Sequence, residues 1–356
     1  MINHLFSLHF FLFRFNKLPL CPVNLNAAVL KVKSLTKYFG LRFLVGCLFL
    51  GFSCKQEDKT KLEIEKIPVN LNISRFDREF SQASAENLGE LKQQYPYLFP
   101  AQFPDSIWLA KLSDTIQIEL SEEVEMEFGD FKAEADALTQ LFKHIKYYFP
   151  QTSVPEVVTI TSDVRYNDRV ILTDTLLLLG LDCYLGQDHR FYQSIQRYVA
   201  TGLDKRYIDS DVASAFAKKV IRYPRNRTFL ARMVHYGKEL YLKDRLLPEA
   251  KDADKIGYTD EEMEWALANE EQIWRHFVER ELLYSTDSKL DRRFLDPAPF
   301  SKFQLELDNE SPGRLGRYMG WQIVRAFMKN NDLSLQQMLS VSGDEIFRKS
   351  NYKPRK

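Results

Sequence analysis

The stretch 227–247, RTFLARMVHYGKELYLKDRLL, constrains the fold more than any other, because apolar residues recur in it at helical spacing and a glycine sits among them. Leu230, Met233, Val234, Gly237, Leu240 and Tyr241 fall on one face, which predicts an amphipathic helix with a buried stripe. A glycine inside a helix costs about 1 kcal/mol relative to alanine. At Gly237, within the buried stripe, that cost predicts that a second backbone passes close by. Pro248 ends the pattern.

On the shoulder of this helix, His235, Tyr236 and Glu239 occupy offsets that a zinc protease fills with the His, Glu and His of H-E-x-x-H. His235 and Glu239, one turn apart, could both reach a metal. Tyr236 cannot replace the carboxylate that takes a proton from zinc-bound water. The plainer reading is a solvated face, with Arg232, Tyr236, Glu239 and Lys243 interacting along the helix. Glu270, in Asn269-Glu270-Glu271, is the third ligand a glutamate-type zinc site would take from a later helix; its plainer reading is again a solvated face.

The first fifty-three residues hold Arg14, Lys17, Lys31, Lys33, Lys37 and Arg42 and no acid, which marks a targeting segment. From Lys31 a basic region leads into the apolar run 43–52, then Gly51-Phe52-Ser53-Cys54 and KQEDK. That is the layout of a bacterial lipoprotein signal, with Cys54 the lipidated residue and new N-terminus. Leu50 stands one place further from Cys54 than a lipobox expects. The run is too short to span a bilayer as a stable helix. Residues 1 to about 30 read as an upstream extension, 31–53 as the signal, 54–62 as lipidated cysteine and polar tether, and 63–356 as a single globular domain.

The whole chain is balanced, with 49 Lys+Arg and 49 Asp+Glu, so losing the six cations before Cys54 leaves a charge of −6. An acidic body does not invite nucleic acid. Of the four cysteines, Cys21 and Cys47 precede Cys54, so Cys183 alone remains in the body. This leaves no intrachain disulfide and no thiolate metal cluster.

Further along, 62–76 alternates well enough for a strand, with Val69, Leu71 and Ile73 on one side. Residues 105–128 and 130–149 predict helices. The short apolar runs 156–161, 169–173 and 176–181 suit antiparallel strands. Helices follow at about 211–221, 227–247 and 259–283, the last opened by Thr259 as N-cap and Glu262 as its capping-box partner. Ser311 and Pro312 predict the start of a helix over 312–329, apolar on most sides, with Gly316 and Gly320 one turn apart and able to admit a close crossing. The fold class is therefore α+β, mostly α-helical with a small antiparallel or mixed sheet.

The segments RFDREF, YPYLFP with FPDSIW, LFKHIKYYFP, LDCYLGQDHRFY, VHYGKELYLKDRLLP, NEEQIWRHFVERELLYSTD and FLDPAPFSKFQLELDNESPGRLGRYMGWQIVRAFM resemble the gliding motility lipoprotein GldB family, from about Ile64 to the C-terminal YKPRK. The resemblance implies a cell-envelope lipoprotein required for gliding, held in the bilayer through Cys54 with its body on the periplasmic side, in bacteria whose gliding machinery is coupled to type IX secretion. It implies no reaction and no cofactor. The family is similar in turn to zinc-protease-like, zincin-like domains, which implies a degenerate protease scaffold with its strands near the helix 227–247.

Two further clusters carry both a functional and a structural reading. Asp182, Asp188 and His189 share one loop; they line a cleft in the zincin-like reading, or else Asp188 caps the next helix with His189 in its first turn. Glu306, Asp308 and Glu310 precede the glycine-bearing helix, along which run Arg314, Arg317, Arg325 and Lys329. These form an ion-pair network locking the helix to the body, or an arginine site for a partner's carboxylate. The reading adopted is a non-catalytic scaffold that binds other gliding or secretion proteins; the alternative is a divergent metal-dependent hydrolase using His235 and Glu239, with Glu270.

Overall fold

The computed structural model describes residues 55–305 and 308–356. The chain divides into two compact units, Met1–Glu63 and Ile64–Lys356, and the helix Lys55–Glu65 includes the described end of the first. The expected targeting segment, Cys54 and Glu306 lie outside the described residues. The architecture below is that of the second unit.

Four short strands lie in the order β1 (Ile73–Ser74), β2 (Glu156–Ile160), β4 (Leu176–Gly180) and β3 (Val170–Leu172). Successive side chains of a strand point to opposite faces. Thus Val157, Leu177 and Leu179 enter the main core, while Val158, Leu176 and Leu178 meet a smaller cluster built on Phe76, Phe80, Tyr95 and Phe99. Cover on both faces explains the near-continuous apolar runs of β2 and β4.

The strands expected at 156–161, 169–173 and 176–181 stand at those places, but only β3 and β4 pair antiparallel. A tight turn joins them, with Leu176 N donating to Thr173 Oγ1 at 2.9 Å. β4 then inserts between β3 and β2, so β2 and β4 run parallel, as do β1 and β2. The strand expected over 62–76 shrinks to Ile73–Ser74, although Val69, Leu71 and Ile73 do share a side, packed against the main core.

Local hydrogen bonding divides two of the expected helices. Asp114 caps Thr115–Phe128 by accepting from Gln117 N at 3.0 Å, which separates that helix from Asp105–Leu112. Asn269 interrupts 259–283 into Asp260–Ala268 and Glu270–Glu279, the first opened by the predicted capping box of Thr259 and Glu262. The helix expected from Pro312 starts later, as Leu315–Asn330, because Arg314 is left-handed at φ 59°. Ser311 is not its cap; its hydroxyl donates to Ser301 O and Asp308 O, while Leu315 N donates to Ser301 Oγ.

The central helix, Phe229–Leu246, crosses Leu315–Asn330 at Gly237 and Gly320. A Cβ on Gly237 would overlap Gly320 O and stand 2.8 Å from Trp321 N; one on Gly320 would overlap Met233 O. No side chain fits there, which is the close approach predicted at Gly237 and allowed at Gly320. Beside the crossing, Asp244 accepts from Trp321 Nε1 (2.9 Å), Arg325 (2.7 Å) and Lys255 (3.1 Å), and Arg325 also reaches Asp252. An ion-pair network does lock the last long helix to the body, but among the described residues its acids are Asp244 and Asp252 rather than Asp308 or Glu310.

The helix Ile208–Val220 packs on β3, and the central helix packs chiefly on Ile208–Val220, Leu315–Asn330 and Gly343–Ser350. A layer of helix thus stands between the central helix and β3, so the arrangement implied by a zinc-protease scaffold finds no support in this packing.

Candidate functional site

The three protease-like offsets point into different surroundings. Glu239 Oε1 accepts from Ser214 Oγ at 2.7 Å, which ties the central helix to Ile208–Val220. The Tyr236 ring lies under Arg317, whose guanidinium carbon is 3.9 Å from the ring centroid and whose Nε donates to Leu295 O. His235 packs against Tyr223, ring centroids 4.8 Å apart, and its buried Nδ1 has no hydrogen-bond partner among the described residues. Burial holds this imidazole below its ordinary pKa.

Glu270 is not on a solvated face. It is buried, and its carboxylate accepts from Tyr318 OH (2.7 Å), Tyr352 OH (2.8 Å) and Arg355 N (3.0 Å), fastening the C-terminal tail. Glu271, by contrast, pairs with Arg275 one turn on. Among the described residues, no group of three or more His, Cys, Asp and Glu is placed to hold a metal ion.

The loop acids and histidine are likewise separated. Asp182 is fully buried and accepts from Ser162 N (2.9 Å), Ser162 Oγ (3.0 Å) and Val164 N (2.6 Å). Asp163 and Val164 are left-handed at φ 56°, a costly conformation for a β-branched residue, and this carboxylate holds the turn in place. Burial raises its pKa against the opposing pull of those hydrogen bonds. Cys183 beside it is buried and free, its thiol pushed up to about 12 by burial. Asp188 is exposed and pairs with Arg197. It does not cap the next turn: His189 does, accepting from Phe191 N, with its Nε2 3.3 Å from Glu123.

Asp308 accepts from Gln304 N and Leu305 N, closing its own turn. Arg314 donates to Ile256 O (2.8 Å) and Gly257 O (2.6 Å). Arg314 and Arg317 thus bind carbonyls and aromatic faces, and neither forms an ion pair with a described acid.

Another place does gather unused chemistry. A cleft of about 710 Å³ opens beside the central helix, between the irregular segment 222–227 and the segment 336–344. Arg222, Arg225, Asn226, His235 and Lys238 line it. Lys238 Nζ is anchored by donating to Leu339 O (2.9 Å) and Val341 O (2.6 Å), and burial draws its pKa down to about 8. Asp344, the single acid in the lining, accepts from Asn226 Nδ2 at 2.8 Å. Sequence reasoning found only His235 here. The signal available was the basic run Lys218, Lys219, Arg222, Arg225 and Arg227, in a chain that is acidic after Cys54.

These features define a mostly helical α+β protein in which the offsets of a protease helix are taken up by packing and a basic cleft is left open. A family model described as gliding motility protein GldB matches residues 57–354, and the chain belongs to that family. Membership implies a role in gliding motility. No curated protein and no solved structure matches the chain. Among the described residues, no helix is long and apolar enough to cross a membrane.

Proposed function

We propose that the chain is a non-catalytic cell-envelope lipoprotein, anchored on the periplasmic side by a lipid on Cys54, that serves the assembly or support of the gliding and type IX secretion machinery by binding its proteins. The observation that carries this reading is the commitment of the central helix. Glu239, which a metal site would need, is held by Ser214, and Tyr236 stands where the general base belongs, under Arg317. The hydrolase alternative, with His235, Glu239 and Glu270 as ligands, would have to break the contacts of Glu239 and free Glu270 from three donors. Family membership supports the gliding role, and the sequence around Cys54 supports the anchor.

The anchor is tested by metabolic labelling with a fatty-acid analogue. The wild-type chain takes the label, whereas Cys54→Ala accumulates as unlabelled precursor and the cells stop gliding. Label retained by Cys54→Ala contradicts the assignment. The binding role is tested by the zinc content of the purified protein together with crosslinking in gliding cells. The expected result is no stoichiometric zinc and crosslinks to machinery proteins. Stoichiometric zinc with peptidase activity contradicts it.

A further inference from the structure

The segment 222–227 carries Arg222 and Arg225 into the cleft lining, and both are exposed and without an ion pair among the described residues. Several arginines elsewhere are engaged by acids: Arg169 with Asp211, Arg190 with Glu119 and Glu123, Arg325 with Asp244 and Asp252. The segment is also held at several points. Pro224 restricts its backbone, Asn226 bonds Asp344, Thr228 N donates to Asn226 Oδ1, and Phe229 N to Ser285 O. The two guanidinium groups therefore sit on a braced support.

Below them the cleft holds polar groups whose bonding is incomplete. His235 Nδ1 is buried without a partner, and an unpaired buried polar atom is destabilising until something pairs with it. Lys238 Nζ gives two of its three protons to carbonyls, and neither acceptor neutralises it. Phe149, Val220, Pro224, Val234, Leu339 and Val341 add apolar surface to the walls, beside the polar Gln336, Ser340 and Ser342.

We propose that this cleft binds an acidic peptide segment of another protein, in which Arg222 and Arg225 grip carboxylates and the apolar walls take the flanking side chains. The proposal rests on the reading that the chain acts by binding, and it names the chemistry of the bound segment. Planar guanidinium forks match carboxylates two bonds at a time. The Asp344 carboxylate in the lining opposes the compact charge of a phosphate dianion more than carboxylates spread along a peptide, and the apolar part of the walls gives phosphate nothing to pack against. A mixed apolar and cationic pocket instead suits alternating apolar and acidic residues in an extended chain.

The test uses the intact purified lipoprotein and a pool of fluorescein-labelled pentapeptides of pattern apolar–Glu–apolar–Glu–apolar, followed by anisotropy. A pool with Gln in place of Glu and inorganic phosphate as competitor are the other arms. The acidic pool binds, the Gln pool binds at least tenfold more weakly, and the double variant Arg222→Gln/Arg225→Gln loses at least tenfold in affinity at an unchanged urea midpoint. The same variant, at normal abundance, abolishes gliding. Equal binding of the two pools, binding unaffected by the double variant, or normal gliding in it overturns the proposal. So does phosphate that displaces the peptide when the same concentration of acetate does not, which would make this a phosphate site. Glu239 lies outside the lining, so Glu239→Gln leaves peptide binding unchanged. Failure of the cleft and failure of the non-catalytic reading therefore register in different variants.

Discussion

Gly237 and Gly320 stand at one crossing of two core helices, where a methyl group on Gly237 would fall on Gly320 O and one on Gly320 would fall on Met233 O, one turn before Gly237. Tight contact there sets the depth at which Met233 and Trp321 are buried, both with no solvent exposure. Full burial of such side chains stabilises by about 1.5–3 kcal/mol each. The crossing is therefore a steric condition on a large part of the core.

Gly237→Ala and Gly320→Ala should each destabilise the protein by about 3 kcal/mol or more, at or beyond the upper end of ordinary overpacking, because backbone rather than a mobile side chain blocks the added carbon. The double variant should lose less than the sum, since one forced separation of the helices accommodates both methyl groups. Urea denaturation of the three variants checks this. Strict additivity would mean that the glycines do not share one contact.

The charge cluster beside the crossing makes a separate prediction. Asp244 accepts from Arg325, Lys255 and Trp321, and Lys255 is itself buried. Asp244→Ala leaves two cations and an indole N–H short of a partner, and should cost about 2–4 kcal/mol, tempered by the partial exposure of Arg325. Asp136→Ala, which removes a fully exposed pair with Lys132, should change the denaturation midpoint hardly at all.

Lys243 provides a pH signature. It is buried, donates to Ser210 Oγ (2.9 Å) and Lys255 O (2.8 Å), and burial lowers its pKa from 10.5 to about 8. Between those values the unfolded chain binds more protons than the native one, so this group makes stability rise with pH. Below pH 8 both states hold the proton and the full penalty of a buried charge remains. The stability of the wild-type protein relative to Lys243→Met should therefore rise by about 2 kcal/mol from pH 7.5 to 9.5. Urea titrations at the two values measure it, and a flat difference would contradict the assignment.

How far the sequence revealed this structure varies with the range of the interaction involved. Gly237 was legible because a glycine in an apolar helical stripe has few physical reasons other than a passing backbone. The box at Thr259 and Glu262 was legible because it closes within three residues. Strand positions were legible too, but pairing was not. β2 and β4 are apolar on both faces, so their alternation does not indicate which neighbour each takes. Glu270 looked like a solvated acid because its partners Tyr352 and Arg355 arrive from more than eighty residues away. Arg314 and Arg317 suggested ion pairs, yet they meet carbonyls and the rings of Tyr258 and Tyr236, which charge patterning does not register. The cleft stayed hidden because it joins segments 222–238 and 336–344, although the basic run that lines it was in plain view.

The non-catalytic account is tested most directly by the gliding of cells that carry Glu239→Gln. The amide can still accept the Ser214 hydrogen bond, so folding and abundance should be preserved, but it lacks the charge that a zinc ligand or base requires. The account predicts colony spreading indistinguishable from wild type. Loss of gliding in a stable Glu239→Gln protein, accompanied by loss of zinc that the wild-type protein held, would contradict it.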